Sequence, residues 1–261
     1  AINDDTIHHS QYGGRPGRDP TTITLMEELR LDYSQLTRTP YTNFDNDCTS
    51  NFDRILMPLA SLAARGFGIH RQVVFVHANT LENAIFKLKL SNKVTDEAYR
   101  QCVKFPIHGT GQGSGNSPVI WCFISSKLFT CYDQKCHGMT FSSPDKSVSL
   151  TLNIIGFVDD TTCMTAGDPS KPLIDLLHRM QHDAQLWNDL LWASGGRLEL
   201  PKCGYHTIYY LFHENGIPYL QHHHHHQISV EAPNGDTIPI RPKNIFTPRK
   251  NLGHHKAPGG N

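Results

Sequence analysis

Apolar residues recur at helical spacing in several stretches of the chain. Leu173, Leu176, Leu177, Met180, Ala184, Trp187, Leu190 and Leu191 predict a long amphipathic helix over 171–193, closed by Gly195 and Gly196. Ile55, Leu56, Leu59, Leu62 and Ala63 predict a helix running from Arg54 to Gly66 and Gly68. Behind Ser117 and Pro118, a favoured helix opening, Val119, Ile120, Trp121, Phe123, Ile124 and Leu128 make a strongly apolar helix. Leu25, Met26, Leu29 and Leu31 give a rougher face to a helix capped by Thr21 or Thr22. Another helical segment is expected from about 72 to 88, then a short strand or hairpin.

Strand patterns lie between these helices. Leu150 to Ile155, broken by Thr151 and Asn153, leads into Gly156-Phe157-Val158-Asp159-Asp160, and Thr161, Thr162 and Cys163 lead out. Alternation and β-branched residues predict a hairpin with two carboxylates at or beside its turn. The segment from Tyr41 is strand-like, as is His206 to Phe212, and the basic stretch from Pro248 to Lys256 predicts a further hairpin.

The length of 261 residues allows one large domain or two small ones. Net charge is zero, so bulk charge does not point to a polyanionic partner. The seven cysteines include no C-x-x-C pair, which reads as reduced thiols in an intracellular protein. Cys131, Cys136 and His137 come nearest to a metal-ligand cluster, but no second half at matching spacing follows. No apolar run reaches membrane-spanning length and no signal peptide opens the sequence, so no membrane partner is expected. A start at Ala1 and an end in Gly259-Gly260-Asn261 suggest a fragment. Five histidines within 221–227 read as a surface insertion able to bind nickel or zinc loosely.

Chemistry concentrates in four places. Adjacent carboxylates at a hairpin tip repel one another, and a divalent cation such as Mg²⁺ removes that cost. Asp45, Asp47 and Asp53 stand where a strand gives way to a helix, as turn and capping residues or as ligands. The loop from His108 to Pro118 is glycine-rich and opens a helix, so its backbone can approach phosphate or sugar. A fourth stretch, Gln11 to Arg18, is a loop whose arginines, Arg15 and Arg18, either meet phosphates or face solvent.

In order and spacing these stretches resemble the palm of a reverse transcriptase, most closely those of retroelements without long terminal repeats. Asp47, Phe52 and Asp53 match the first motif of that family. Gly109 through Pro118 matches its G-x-P-Q-G-S-x-x-S-P motif, with Gly111 in place of proline. Phe157-Val158-Asp159-Asp160 matches the paired acids, Leu198 to Lys202 a shortened lysine motif, and Leu252-Gly253 the final hairpin. Gln11 to Arg18 resembles the Q-x-G-F-R-P-G-R stretch that leads into the palm, with Gly14 replacing phenylalanine.

The resemblance implies an α+β fold: a small antiparallel sheet backed by helices near 54–66, 117–132 and 171–193, plus part of the fingers. Residues 1–40 would be the remnant of the fingers and the lead into the palm, 41–261 the palm with its histidine insertion, and the thumb absent. It implies RNA-directed DNA synthesis, with an RNA template, a DNA or RNA primer and dNTPs as partners. Two Mg²⁺ ions, or Mn²⁺, about 3.5–4 Å apart would act on the phosphoryl transfer, held by Asp47 and Asp159, with Asp160 assisting and the Cys48 carbonyl as a further ligand. Lys202 would donate a proton to pyrophosphate. Phe52 would exclude a ribose 2′-hydroxyl, unless it is simply a core aromatic. Gln112 and Gly113 would line the nucleotide site, Leu252 and Gly253 would position the primer, and Arg15 and Arg18 would meet the template. The rivals are an RNA-directed RNA polymerase, which Phe52 argues against, and a non-catalytic nucleic-acid-binding module derived from a palm, in which at least one acid would be lost.

Overall fold

Two strands of one hairpin and two strands distant from it in sequence form the central sheet. The computed structural model describes residues 6–49, 51–100, 102, 108–111, 114–221, 226–247, 249–251 and 254–256. The chain opens with α1 (Pro20–Thr37), β1 (Tyr41–Asn46), α2 (Asn51–Arg54), α3 (Met57–Gly66) and α4 (Arg71–Glu82). Two small ribbons follow, β2 (Ile85–Phe86) with β5 (Tyr99–Arg100) and β3 (Lys89–Leu90) with β4 (Lys93–Val94). Next come α5 (Ser117–Asp133), the hairpin β6 (Thr140–Ser142) and β7 (Ser149–Thr151), then β8 (Ile154–Phe157), β9 (Asp160–Ala166) and α6 (Leu173–Ala193). The remainder is β10 (Gly204–Ile208) and three hairpins: β11 (Tyr210–Phe212) with β12 (Pro218–Leu220), β13 (Ser229–Glu231) with β14 (Thr237–Pro239), and β15 (Arg249–Asn251) with β16 (His254–Lys256). The sheet order is β10-β1-β9-β8, antiparallel throughout.

Side chains alternate across a strand, and here both faces are covered. Phe44, Ile154, Cys163 and Tyr205 point to one side, where Trp121 and Phe129 of α5 and Met180, Trp187 and Leu191 of α6 complete the main core. Their neighbours Tyr41, Ile155 and Met164, with Ile208, point to the other side, toward Tyr12 and Ile23. The polymerase-like α+β plan expected from the sequence is therefore present, with α3, α5 and α6 on one face and α1 on the other.

Several boundaries differ from expectation. The helix expected from Arg54 is two helices, because Pro58 in the first turn of α3 starts a new one. The buried face of α3 is Ala60, Ala63 and Ala64, while Leu62 is exposed. On α1 the cap is Asp19, whose carboxylate accepts from the Thr22 N–H at 2.9 Å, and not Thr21 or Thr22. Leu25 and Leu29 of the expected apolar face lie exposed. α4 stops at Glu82, where the Asn83 amide donates to the Asn79 carbonyl. Pro172 delays α6 to Leu173, since the residue before a proline is disfavoured in a helix. The apolar run from Leu150 is split: β7 is exposed, and Asn153 breaks the strand to bond Asp133 (3.0 Å) and the Met139 N–H (3.3 Å).

Candidate active site

β1 ends at Asn46, and Asp47 follows it. Asn46 pairs with Thr161 on β9, and Phe157 pairs with Asp160 across the hairpin. Asp47 and Asp160 line the same cleft, with Asp159 in the adjoining turn. Three acids from two parts of the chain thus meet at one end of the sheet. Residues 197–203 pack beside Asp47: Cys48 bridges Leu198, the Glu199 N–H donates to the Asp47 carbonyl at 2.8 Å, and the Thr49 hydroxyl donates to Glu199 at 2.6 Å. That turn delivers Lys202, whose Nζ lies 2.7 Å from Asp47 Oδ2.

The tip of the hairpin is a two-residue turn, Val158-Asp159, with Val158 at φ 59°. Left-handed backbone suits such turns but is unfavourable for a β-branched residue. Its neighbours hold it there. The Val158 carbonyl accepts from the Trp121 indole and from Gln11 Nε2. Gln11 is buried and also donates to Ser125 at 2.8 Å. Residues 10–12 run parallel to Gly156, with Tyr12 N–H to Gly156 O at 2.8 Å and Gly156 N–H to Ser10 O at 2.9 Å. A Cβ on Gly13 would lie 2.2 Å from the Val158 nitrogen, so only glycine lets the segment lie this close. Sequence reasoning missed this brace. Its signal lies in Gln11 and Gly13, a buried amide and a glycine in close approach to the hairpin.

Burial is the main cause raising the Asp159 and Asp160 carboxyls above the ordinary range, and Asp47 raises both further. Asp159 also raises Asp160, and Lys202 opposes the shift in each. Lys202 itself is raised, chiefly by its hydrogen bond to Asp47, and stays protonated at neutral pH. A cleft of about 240 Å³ lies here, lined by Asp45, Asp47, Asp160, Thr162 and Lys202 among others. Carboxylate oxygens are the hard donors that a divalent cation such as Mg²⁺ or Mn²⁺ favours, although Asp47, Asp159 and Asp160 do not bring three ligand atoms within 4.8 Å of one another. Asp45 is occupied otherwise, with Lys243 Nζ at 3.2 Å and His206 Nδ1 at 3.8 Å. Asp53 is exposed on α2.

The glycine loop docks on the end of α2. The Thr110 N–H donates to the Phe52 carbonyl at 2.7 Å and the Gly109 N–H to the Ile55 carbonyl at 3.0 Å. The break between α2 and α3 therefore presents the carbonyls that hold the loop. Ser117 Oγ closes it on Gly111 O at 2.8 Å. Gly111 sits at φ 80°, which proline cannot adopt, so the departure from the family's proline goes with a different local backbone. Phe52 is half-buried against the main core beside this loop. Cys48 is buried. Gln112 and Gly113 lie outside the described residues, as do Leu252 and Gly253, although β15 and β16 pair on either side of the latter as the expected hairpin. Arg15 is 8% exposed, and its Nη1 donates to the carbonyls of His8 and Gln11. Arg18 lies over the Tyr12 ring at 5.1 Å. Among the described residues no helix is long and apolar enough to cross a membrane.

No protein-family model matches the chain, and no curated protein matches it significantly. Solved structures do. Apo telomerase of Candida tropicalis, truncated of its C-terminal domain, aligns at TM-score 0.51 and 13% identity over 76% of this chain and 36% of that one. Telomerase of the same organism in complex with a TWJ fragment of telomeric RNA aligns at TM-score 0.50 and 12% identity over 78% and 31%. The chain spans about a third of the length of these structures. At this identity the likeness concerns the fold alone, an α+β arrangement of the polymerase-palm kind.

Proposed function

We propose that this chain is the palm of an RNA-directed DNA polymerase from a retroelement without long terminal repeats. Residues 1–40 then lead into the palm and 41–261 form it. The observation that carries the reading is the convergence of Asp47 and Asp160 on one cleft, beside Asp159, with Lys202 bonded to Asp47. Asp47, Asp159 and Asp160 would hold two Mg²⁺ or Mn²⁺ ions, which when bound stabilise charge on the attacking and leaving oxygens of an in-line phosphoryl transfer. Lys202, protonated at neutral pH, is the group to deliver a proton to departing pyrophosphate. Phe52, the Cys48 backbone, Gln112 and Gly113 would shape the dNTP site. Arg18 would meet the RNA template, and Leu252 and Gly253 the primer end. Trp121 and Gln11, by holding the Val158 carbonyl, keep the acids at the cleft without touching substrate.

The test is primer extension with dNTPs on an RNA template, using the full-length protein that carries this chain. Asp159→Asn should lower incorporation by on the order of 10²-fold or more while leaving duplex affinity nearly unchanged. Undiminished incorporation by that variant would refute the assignment. A wild-type protein that binds the duplex but adds no nucleotide would instead identify a non-catalytic binding module, and preference for ribonucleotides an RNA polymerase.

A further inference from the structure

Cys136-His137 lacks a second half in the sequence, but the tertiary structure supplies one from α6. His137 follows α5, and its Nδ1 lies 2.9 Å from Asp183 Oδ1. His182 on α6 brings its own Nδ1 to 3.1 Å from the same oxygen. The two rings stand nearly perpendicular, at 81° with centroids 4.9 Å apart. The three ligand atoms all lie within 4.8 Å of one another.

The carboxylate is set in place without help from either ring. Asp183 is fully buried, its Oδ2 accepts from the Thr165 hydroxyl at 2.6 Å, and the His137 backbone N–H donates to both oxygens at 3.0 and 3.2 Å. Such outer bonds orient a ligating carboxylate. Both imidazoles are partly exposed, which leaves an entry path and a position for water. Ligands at tetrahedral zinc stand about 3.4 Å apart, given bonds of about 2.0–2.1 Å. The two imidazole–carboxylate spacings need to open by only a few tenths of an ångström, and the third pair of ligand atoms lies within 4.8 Å. A comparable group, His8, His9 and Asp133, does not meet this standard. His8 uses Nδ1 to accept from the Ser10 N–H and Nε2 to reach Asp133, so both of its nitrogens are committed.

We propose that His137, His182 and Asp183 form a zinc site that ties the segment after α5 to α6 and, through Thr165, to β9. Two imidazoles and a carboxylate suit zinc and are poor ligands for Mg²⁺. Thr165 lies five residues along β9 from Asp160, about 16 Å at strand rise, so the site is separate from the acidic cleft and would act on stability.

The test is zinc titration by calorimetry, with thermal melting, on the whole chain with His222 to His226 each replaced by serine to remove loose binding. One Zn²⁺ per chain is expected, with a rise in melting temperature. His137→Ala and His182→Ala, both at exposed positions, should each weaken binding by about tenfold or more and abolish the rise, and His9→Ala should do neither. Asp183→Asn keeps the side-chain shape and should also weaken binding. Failure to bind zinc, affinity unchanged by both histidine substitutions, or a loss seen only with His9→Ala would overturn the proposal.

Discussion

Asp159 and Asp160 are held in a place that disfavours their charge, and this is measurable. Both carboxyls are raised above the ordinary value of 3.8, first by burial. The folded state therefore binds their protons more tightly than the unfolded chain does. Their contribution is most favourable below pH 3.8 and is lost as pH rises through the elevated folded values, so at neutral pH the full penalty stands. In the metal-free chain Asp160→Asn should raise the melting temperature at pH 7 by on the order of 2 °C, a modest gain because much of the residue is exposed to solvent. The gain should vanish below about pH 4, where aspartate is itself neutral. A gain of equal size at pH 3 would show that charge is not its source. Mg²⁺ should stabilise the wild type more than this variant, as calorimetric scans with and without the ion would register. Phe52 gives a second prediction at this scale. Phe52→Val should raise ribonucleotide use relative to deoxynucleotide use by about tenfold, the scale of a few methylenes of pocket contact. An unchanged ratio in competition assays would reduce it to a core aromatic.

Among the elements, the break between α2 and α3 matters most. It was invisible as a break in the apolar stripe, because Ile55 and Leu56 continue the stripe while Pro58 restarts the helix. The freed carbonyls of Phe52 and Ile55 hold the glycine loop. Gly109 sits at φ 85°, and a Cβ there would lie 2.4 Å from Asp53 Cα and Phe52 O. Gly109→Ala should therefore cost about 1–3 kcal/mol of stability and raise KM for dNTPs, as urea unfolding and steady-state kinetics would read. Gly111→Ala meets no neighbour within 4 Å and should cost less, only what its positive φ imposes. The acidic hairpin itself was legible, since the run from Leu150 to Ile155 and the β-branched residues after Asp160 bracket two carboxylates. Its brace was not, because the partners Gln11, Trp121 and Val158 are far apart in the chain and none is unusual alone.

For the whole molecule, zero net charge has a consequence for nucleic-acid binding. A protein neutralising six to ten phosphates shows a log–log salt slope of about −5 to −9. This chain by itself should bind an RNA–DNA primer–template with a slope shallower than about −5, measured by fluorescence anisotropy across salt. A steeper slope would mean that its lysines and arginines converge on one surface despite the neutral total.

The sequence by itself determined the helices of the core face, the glycine loop, the acidic hairpin and the palm-like order of its motifs. These depend on short-range periodicity, turn chemistry and spacing, which are local. Only the tertiary structure decided that Asp47 and Asp160 line one cleft, that Lys202 reaches Asp47, that Arg15 turns inward, and that His182 and Asp183 come beside His137. Each of these depends on the register between strands, or on which helix face packs on which, and long-range contacts of that kind leave no period in the chain.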